Sequence, residues 1–244
     1  DRTGTNAEFH LVDERIVGAA PTSTTASEAA AMPLTSLTAY EMLFDRLRVD
    51  APVAGAANAI VIIGGAGGVG SIAIQLLRAK TDLTIIATAS RDETKAWAKS
   101  LGAHHVIDHS QPIAAQVAAL GLGQPAFVFS TTHTGNYVTE VAELIAPQGR
   151  FGLIDDPSEF SIMPFKAKSV SIHWEFMYTR SLFKTADMTR QHDILTEMVT
   201  LLDTGKIKST ATESLGKINA ENLRKAHALL EGNKAKGKLT LVGF

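Results

Sequence analysis

The chain has no cysteine. That removes disulfides, thiolate zinc sites and cysteine nucleophiles from these residues together. A cysteine-free chain fits a cytoplasmic protein, and the cytoplasm is the expected location. It also has no excess of charge: 23 Lys and Arg stand against 25 Asp and Glu, a net charge of −2, which leaves no basic footprint for nucleic acid. No apolar run is long enough to cross a membrane; residues 54–63 are interrupted by Gly55 and Asn58. No secretory signal opens the chain, and there is no initiator Met at Asp1, so the chain reads as a piece of a longer protein or a natural short form. The remainder, 45% hydrophobic and 20% charged over 244 residues, is ordinary for a globular protein of one large domain, or of one domain and part of another.

One stretch organises what is present. Ile60 to Ile63 are four β-branched residues that read as a buried strand. Gly65, Gly67 and Gly70 follow in the spacing G-x-G-x-x-G, with Gly68 and Val69 between them, and an apolar helix starts at Ser71. Glycine lets the backbone turn sharply and approach a pyrophosphate where a side chain would collide. The helix N-terminus offers unpaired N–H groups and a positive dipole end. Between strand and helix, the motif predicts dinucleotide binding.

The pattern repeats downstream. Strands are expected at 84–88, 106–107, 126–130, 150–154 and 170–176, and helices at 92–101, 113–120 and 137–145. This alternation predicts an α/β fold: a doubly wound, parallel, six-stranded Rossmann sheet, with the ligand across the carboxyl ends of its strands. Upstream, residues 6–12 suggest a strand. Ser27 is placed to cap an Ala-rich helix starting at Glu28, Pro33 to bend or break it, and a second helix spans 35–47. Downstream, helices are expected at 189–202 and 220–231, with a closing strand at 237–242.

Twenty positions past Gly70, where an NAD-binding chain carries a carboxylate, stand Ser90 and Arg91. A hydroxyl and a guanidinium suit a 2′-phosphate, with Lys95 one helical turn further on adding positive charge. Asp92 suits the first turn of the next helix. The expected cofactor is therefore NADP(H). Of the histidines, His104 and His105 are adjacent and would face opposite sides of a strand, which argues against a metal cluster with His109.

Residues 29–41, the loop 65–70, and residues 87–91, 101–108, 146–151 and 237–238 together resemble the medium-chain dehydrogenase/reductase superfamily. Within it, the likeness is to the quinone oxidoreductases and the zinc-type alcohol dehydrogenase-like proteins. The resemblance implies that residues 1–30 are the last piece of a β-rich, GroES-like catalytic domain. Residues 31–180 would be the Rossmann domain, and 181–244 would return toward the catalytic domain, leaving remnants of it at both chain ends. It further implies Thr38 near the nicotinamide end, His109 near the adenosine phosphate, and Ser130 and Thr131 along the ribose. Ile154 and Asp155 would lie by the carboxamide, and Phe176 with Met177 would close the nicotinamide pocket. The stretch where zinc-binding relatives usually place a ligand is here Ala31 to Leu34, without ligand chemistry, so no metal is expected from these residues. Relatives pair through an edge strand, which implies a homodimer through Val170 to Phe176.

The function this implies is zinc-free hydride transfer from NADPH to a quinone or an α,β-unsaturated carbonyl compound. No catalytic residue is identified; Tyr40 and Tyr178 are phenols in plausible regions. The alternatives are a zinc-dependent alcohol dehydrogenase whose ligands lie in the missing domain, and a non-catalytic NADPH-binding protein. No membrane or nucleic-acid partner is expected.

Overall fold

A computed structural model describes residue 7 and residues 9–243. It divides into two compact units, residues 38–176 and residues 1–37 with 177–244. Before the strands come α1 (Ala26–Ala30) and α2 (Pro33–Tyr40), the latter running into a π-helical turn, Glu41–Arg46. Strand and helix then alternate: β1 (Ala57–Ile63), α3 (Gly68–Lys80), β2 (Thr84–Thr88), α4 (Asp92–Ser100), β3 (His105–Ile107) and α5 (Ile113–Ala119). The second half follows with β4 (Pro125–Ser130), α6 (Val138–Leu144), β5 (Arg150–Leu153) and β6 (Ser171–Trp174).

The unit spanning 38–176 is a six-stranded, all-parallel sheet in the order β3-β2-β1-β4-β5-β6. It is the Rossmann-like arrangement that the alternation predicts. The order reverses between β1 and β4, and loops leave their carboxyl ends in opposite directions there. Both faces of the sheet are covered, so β1 is apolar without alternation, and Ile60, Val61, Ile62 and Ile63 are all buried. One face packs Val61, Ile63, Ile86, Val128 and Phe151 against Ile113, Val117, Val141 and Leu144 of α5 and α6. Each such side chain contributes about 1.5–3 kcal/mol of apolar burial. On β5 a Cβ at Gly152 would fall on the Sδ of the buried Met42, so the thioether occupies the room the missing side chain leaves. Arg150 Nη1 lies 2.8 Å from the carbonyls of Leu47 and Arg48 and 3.0 Å from that of Ala51, where the chain leaves the π-helical turn.

The other unit holds α7 (Thr179–Phe183), α8 (Arg190–Asp203), α9 (Ala220–Glu231) and two short parallel strands, β7 (Ala211–Ser214) and β8 (Lys238–Thr240). Asp203 at the end of α8 accepts hydrogen bonds from the Thr22 and Ser23 amides and the Thr22 hydroxyl.

Several expectations need correction. Thr25, not Ser27, caps α1, in a capping box with Glu28; the hydroxyl must sit three residues before the carboxylate to reach the amide it satisfies. Pro33 starts α2 instead of breaking a helix, because the first helical position needs no N–H. The helix expected over 35–47 changes to i→i+5 bonding at Glu41, and Leu47 N–H reaches the Met42 carbonyl at 2.8 Å. The edge strand ends at Trp174, two residues before Phe176. Of the strand expected over 6–12, residues 6 and 8 lie outside the described residues, and 9–12 form no strand.

Candidate nucleotide-binding site

The site is built on the turn from β1 into α3. Gly64 has φ +81°, a left-handed conformation that an L side chain rarely adopts. Its N–H donates to the Thr88 hydroxyl at 3.0 Å, and the Gly65 N–H donates to the Thr88 carbonyl at 3.2 Å. The end of β2 thus fixes the start of the loop. A Cβ on Gly70 would land on the Gly64 carbonyl oxygen, so the helix can pack this closely only on glycine. Gly67 caps α3 with no side chain. The first intrahelical bond is from Ser71 N–H to the Gly67 carbonyl, at 2.8 Å. The amides of Gly68, Val69 and Gly70 precede that bond, at the positive end of a 13-residue helix. A pair of phosphates fits this cradle.

Ser90 and Arg91 follow the end of β2, and Arg91 is exposed at the start of α4. Lys95 is not a freestanding cation: its Nζ pairs with Asp108 Oδ2 at 2.9 Å. Hydrogen bonds from Ser110 and from Lys95 hold the Asp108 carboxyl well below the usual carboxylate range. His109 stands among these groups. Desolvation lowers its pKa; Asp108 opposes that, while Arg91, His133 and Lys95 add to it. The structure thus brings Arg91, Lys95 and His109 together and adds Asp108 and His133, which the sequence reading did not include.

At the carboxyl ends of β4 and β5 a polar chain runs through the interior. Ser130 and Thr134 are both fully buried. Their hydroxyls are 2.7 Å apart, and Thr134 bonds Asp155 through both its N–H, at 2.8 Å, and its hydroxyl. Thr131 donates its N–H and its hydroxyl to the Ile63 carbonyl, joining the ends of β1 and β4. Ser130 is therefore held in the interior, while Thr131, Ile154 and Asp155 are partly exposed. Thr38 is buried near the end of α2, and Phe176, just past β6, is 56% exposed. Nothing in the sequence singles out Thr134, a lone hydroxyl in a loop.

Residues 68–191 match the family model described as zinc-binding dehydrogenase. The chain belongs to this family, within the medium-chain dehydrogenase/reductases. A zinc-type alcohol dehydrogenase-like protein of Staphylococcus aureus (strain COL) is 37% identical over 99% of this chain and 72% of its own length. A 2-methylene-furan-3-one reductase of Solanum lycopersicum is 31% identical over 60% of this chain and 38% of its own. Among solved structures, a candidate zinc-dependent alcohol dehydrogenase of Rhizobium etli CFN 42 superposes with a TM-score of 0.98 at 64% identity. That superposition covers all of this chain and 71% of the other. The medium-chain dehydrogenase/reductase chain is accordingly an oxidoreductase with the fold of a nicotinamide nucleotide binder.

The cradle at α3 fits such a nucleotide. Zinc is a different matter. Among the described residues no three His, Asp or Glu side chains gather to hold a metal ion, and these residues alone do not build a zinc site. Nor, among them, is any helix long and apolar enough to cross a membrane.

Proposed function

We propose that the protein transfers hydride from NADPH to a quinone or an α,β-unsaturated carbonyl compound. The observation that carries this reading is the pairing of a bare amide cradle at Gly68, Val69 and Gly70 with Arg91 at the end of β2. The amides hold the diphosphate. Arg91, with Lys95 and His109 nearby, receives the 2′-phosphate that distinguishes NADPH from NADH. The reduced nicotinamide, when bound, supplies the hydride. The chain's own residues align it: Thr131, Ile154 and Asp155 along the ribose and carboxamide, Thr38 and Phe176 at the far end of the cofactor. The 2-methylene-furan-3-one reductase named above acts, by its name, on a conjugated carbonyl compound, which favours this substrate class.

Strand β6 supports a homodimer. Among the described residues it is a sheet edge paired only with β5, and its Trp174 is 52% exposed. Beside it a groove of about 470 Å³ is lined by Phe160, Ile162, Met163, Ile172 and Trp174 among others. Open edges of this kind are usually covered. A second copy adding its own β6 is the occupant we propose, in a cytoplasmic enzyme.

Calorimetric titration tests the cofactor reading. NADPH should bind at least about tenfold more tightly than NADH, and Arg91→Ala should remove that preference. Absence of binding by either nucleotide would overturn the reading. The names of the zinc-type relatives favour a second reading, a zinc-dependent alcohol dehydrogenase with ligands outside the described residues. Metal analysis of the purified protein, with alcohol oxidation measured before and after chelation, separates the two.

A further inference from the structure

Two carboxyl groups are buried together where the π-helical turn meets the sheet. Glu41 opens the turn and is 0% exposed; Glu175, the residue after β6, is 3% exposed. Arg46, at the other end of the same turn, donates from Nε to Glu175 Oε2 at 2.8 Å. The second oxygen of Glu175, Oε1, is closed to water and receives no N–H or O–H donor from the described residues. The Glu41 carboxyl faces Glu175 closely enough for like charge and a hydrogen bond both to act on it. Two carboxyls that face each other in a dry place repel when both are ionised, so they do not both give up their protons readily. A proton between them relieves that repulsion and gives Glu175 Oε1 a donor.

The position of the pair suggests its use. Glu41 lies three residues after Thr38, and Phe176 follows Glu175 directly. These are the two residues assigned above to the nicotinamide end, so the inference rests on that cofactor reading. Among helical variants, π-helical turns recur at functional sites because their extra residue per turn displaces side chains from the α-helical register.

We propose that Glu41 and Glu175 hold one proton between them at neutral pH, and that this proton latches the π-helical turn onto the end of β6. Loss of the proton in mild alkali opens the latch and weakens nucleotide binding.

The charged surroundings agree. From the turn, Glu41 and Arg46 face Glu175; from the sheet, His173 of β6 stands near both Arg46 and Arg150 of β5. Burial, Arg150 and Arg46 all lower the pKa of His173 and favour its neutral ring. Burial and Glu41 push Glu175 up to about 8, against the opposing pull of Arg46. A carboxyl raised in this way contributes stability that is fully present below its unfolded pKa and lost as the pH rises through its folded one.

The experiment uses the intact protein and three readouts. Infrared difference spectroscopy between about pH 7 and pH 10 should show the carbonyl band of a protonated carboxyl disappearing, and Glu175→Gln and Glu41→Gln should each lack that change. The melting temperature should fall by about 5–10 °C between about pH 6 and pH 9, and this slope should be much shallower in Glu175→Gln. NADPH affinity should weaken about three- to tenfold over the same range in the wild type and stay level in Glu175→Gln. No protonated carboxyl at neutral pH, or parallel melting profiles in wild type and variant, would overturn the shared proton. A shared proton with level NADPH affinity in the wild type would overturn the latch. Should no nucleotide bind at any pH, the cofactor reading fails and the latch with it, while the infrared and melting readouts still decide the shared proton.

Discussion

Lys95 and Asp108 form an ion pair of 2.9 Å between α4 and the loop after β3. The lysine that the sequence offers to a phosphate thus already neutralises a carboxylate beside it. Lys95→Met should leave Asp108 uncompensated near the 2′-phosphate position and weaken NADPH binding by about tenfold, with little effect on NADH. Stability should change by no more than about 1 kcal/mol, since the pair is part-exposed. Fluorescence titration with both nucleotides, beside a urea melt, checks both statements.

Gly70 and Gly67 should separate folding from binding. At Gly70 an alanine would collide with the Gly64 carbonyl, so Gly70→Ala should destabilise the protein by about 1–3 kcal/mol and abolish NADPH binding. At Gly67 the nearest atom to an added Cβ is the Gly64 carbonyl oxygen at 3.4 Å, an ordinary contact. Gly67→Ala should therefore shift stability by about 1 kcal/mol or less while hindering the approach of the diphosphate. Denaturation and calorimetry on the two variants provide the comparison; equal losses of stability would contradict it.

Thr134 ties Ser130 to Asp155 from a fully buried position. Thr134→Val keeps the shape and removes the hydroxyl, leaving Asp155 with the amide of residue 134. A loss of about 1.5–3 kcal/mol is expected, read as a lower urea midpoint with an unchanged slope.

On the proposed dimer, Trp174→Glu places a charge at an exposed edge position and should cost the fold little. Light scattering at micromolar concentration should report a dimer for the wild type and a monomer for the variant. A monomeric wild type would contradict the proposed partner.

Asp203 gives an acid-side prediction. Its hydrogen bonds from Ser23 and Thr22 push its pKa down to about 2. A depressed carboxylate contributes stability present above its unfolded pKa, about 3.9, and lost as the pH falls through the folded value. Carbon-detected NMR should show the Asp203 carboxyl titrating near that lower value. In Asp203→Asn the acid-side fall in stability should be correspondingly smaller.

The parts of this molecule legible in its sequence are those set by local pattern. The run Ile60–Ile63, the glycines after it and the apolar helix beyond fix β1, the loop and α3, because a buried strand, a tight turn and an amphipathic helix each have their own periodicity. The alternation of such units then implies the parallel sheet. Sequence pattern says little where pairing is distant or geometry is fine. Arg46 and Glu175 meet across 129 positions. The change from α- to π-helical bonding at Glu41 leaves the apolar spacing almost intact. β7 and β8 are four and three residues long, too short to show a period. Lys95 reads as a phosphate ligand until Asp108, on the next strand's loop, is seen beside it.

Gly152 and Met42 share one fixed volume: the sheet gives up a side chain and the helical turn fills the room with a thioether. Neither position can change size alone. Relatives that carry alanine or anything larger at the strand position should have a shorter residue opposite. A methionine oxidised to its sulfoxide there would have no space for the added oxygen.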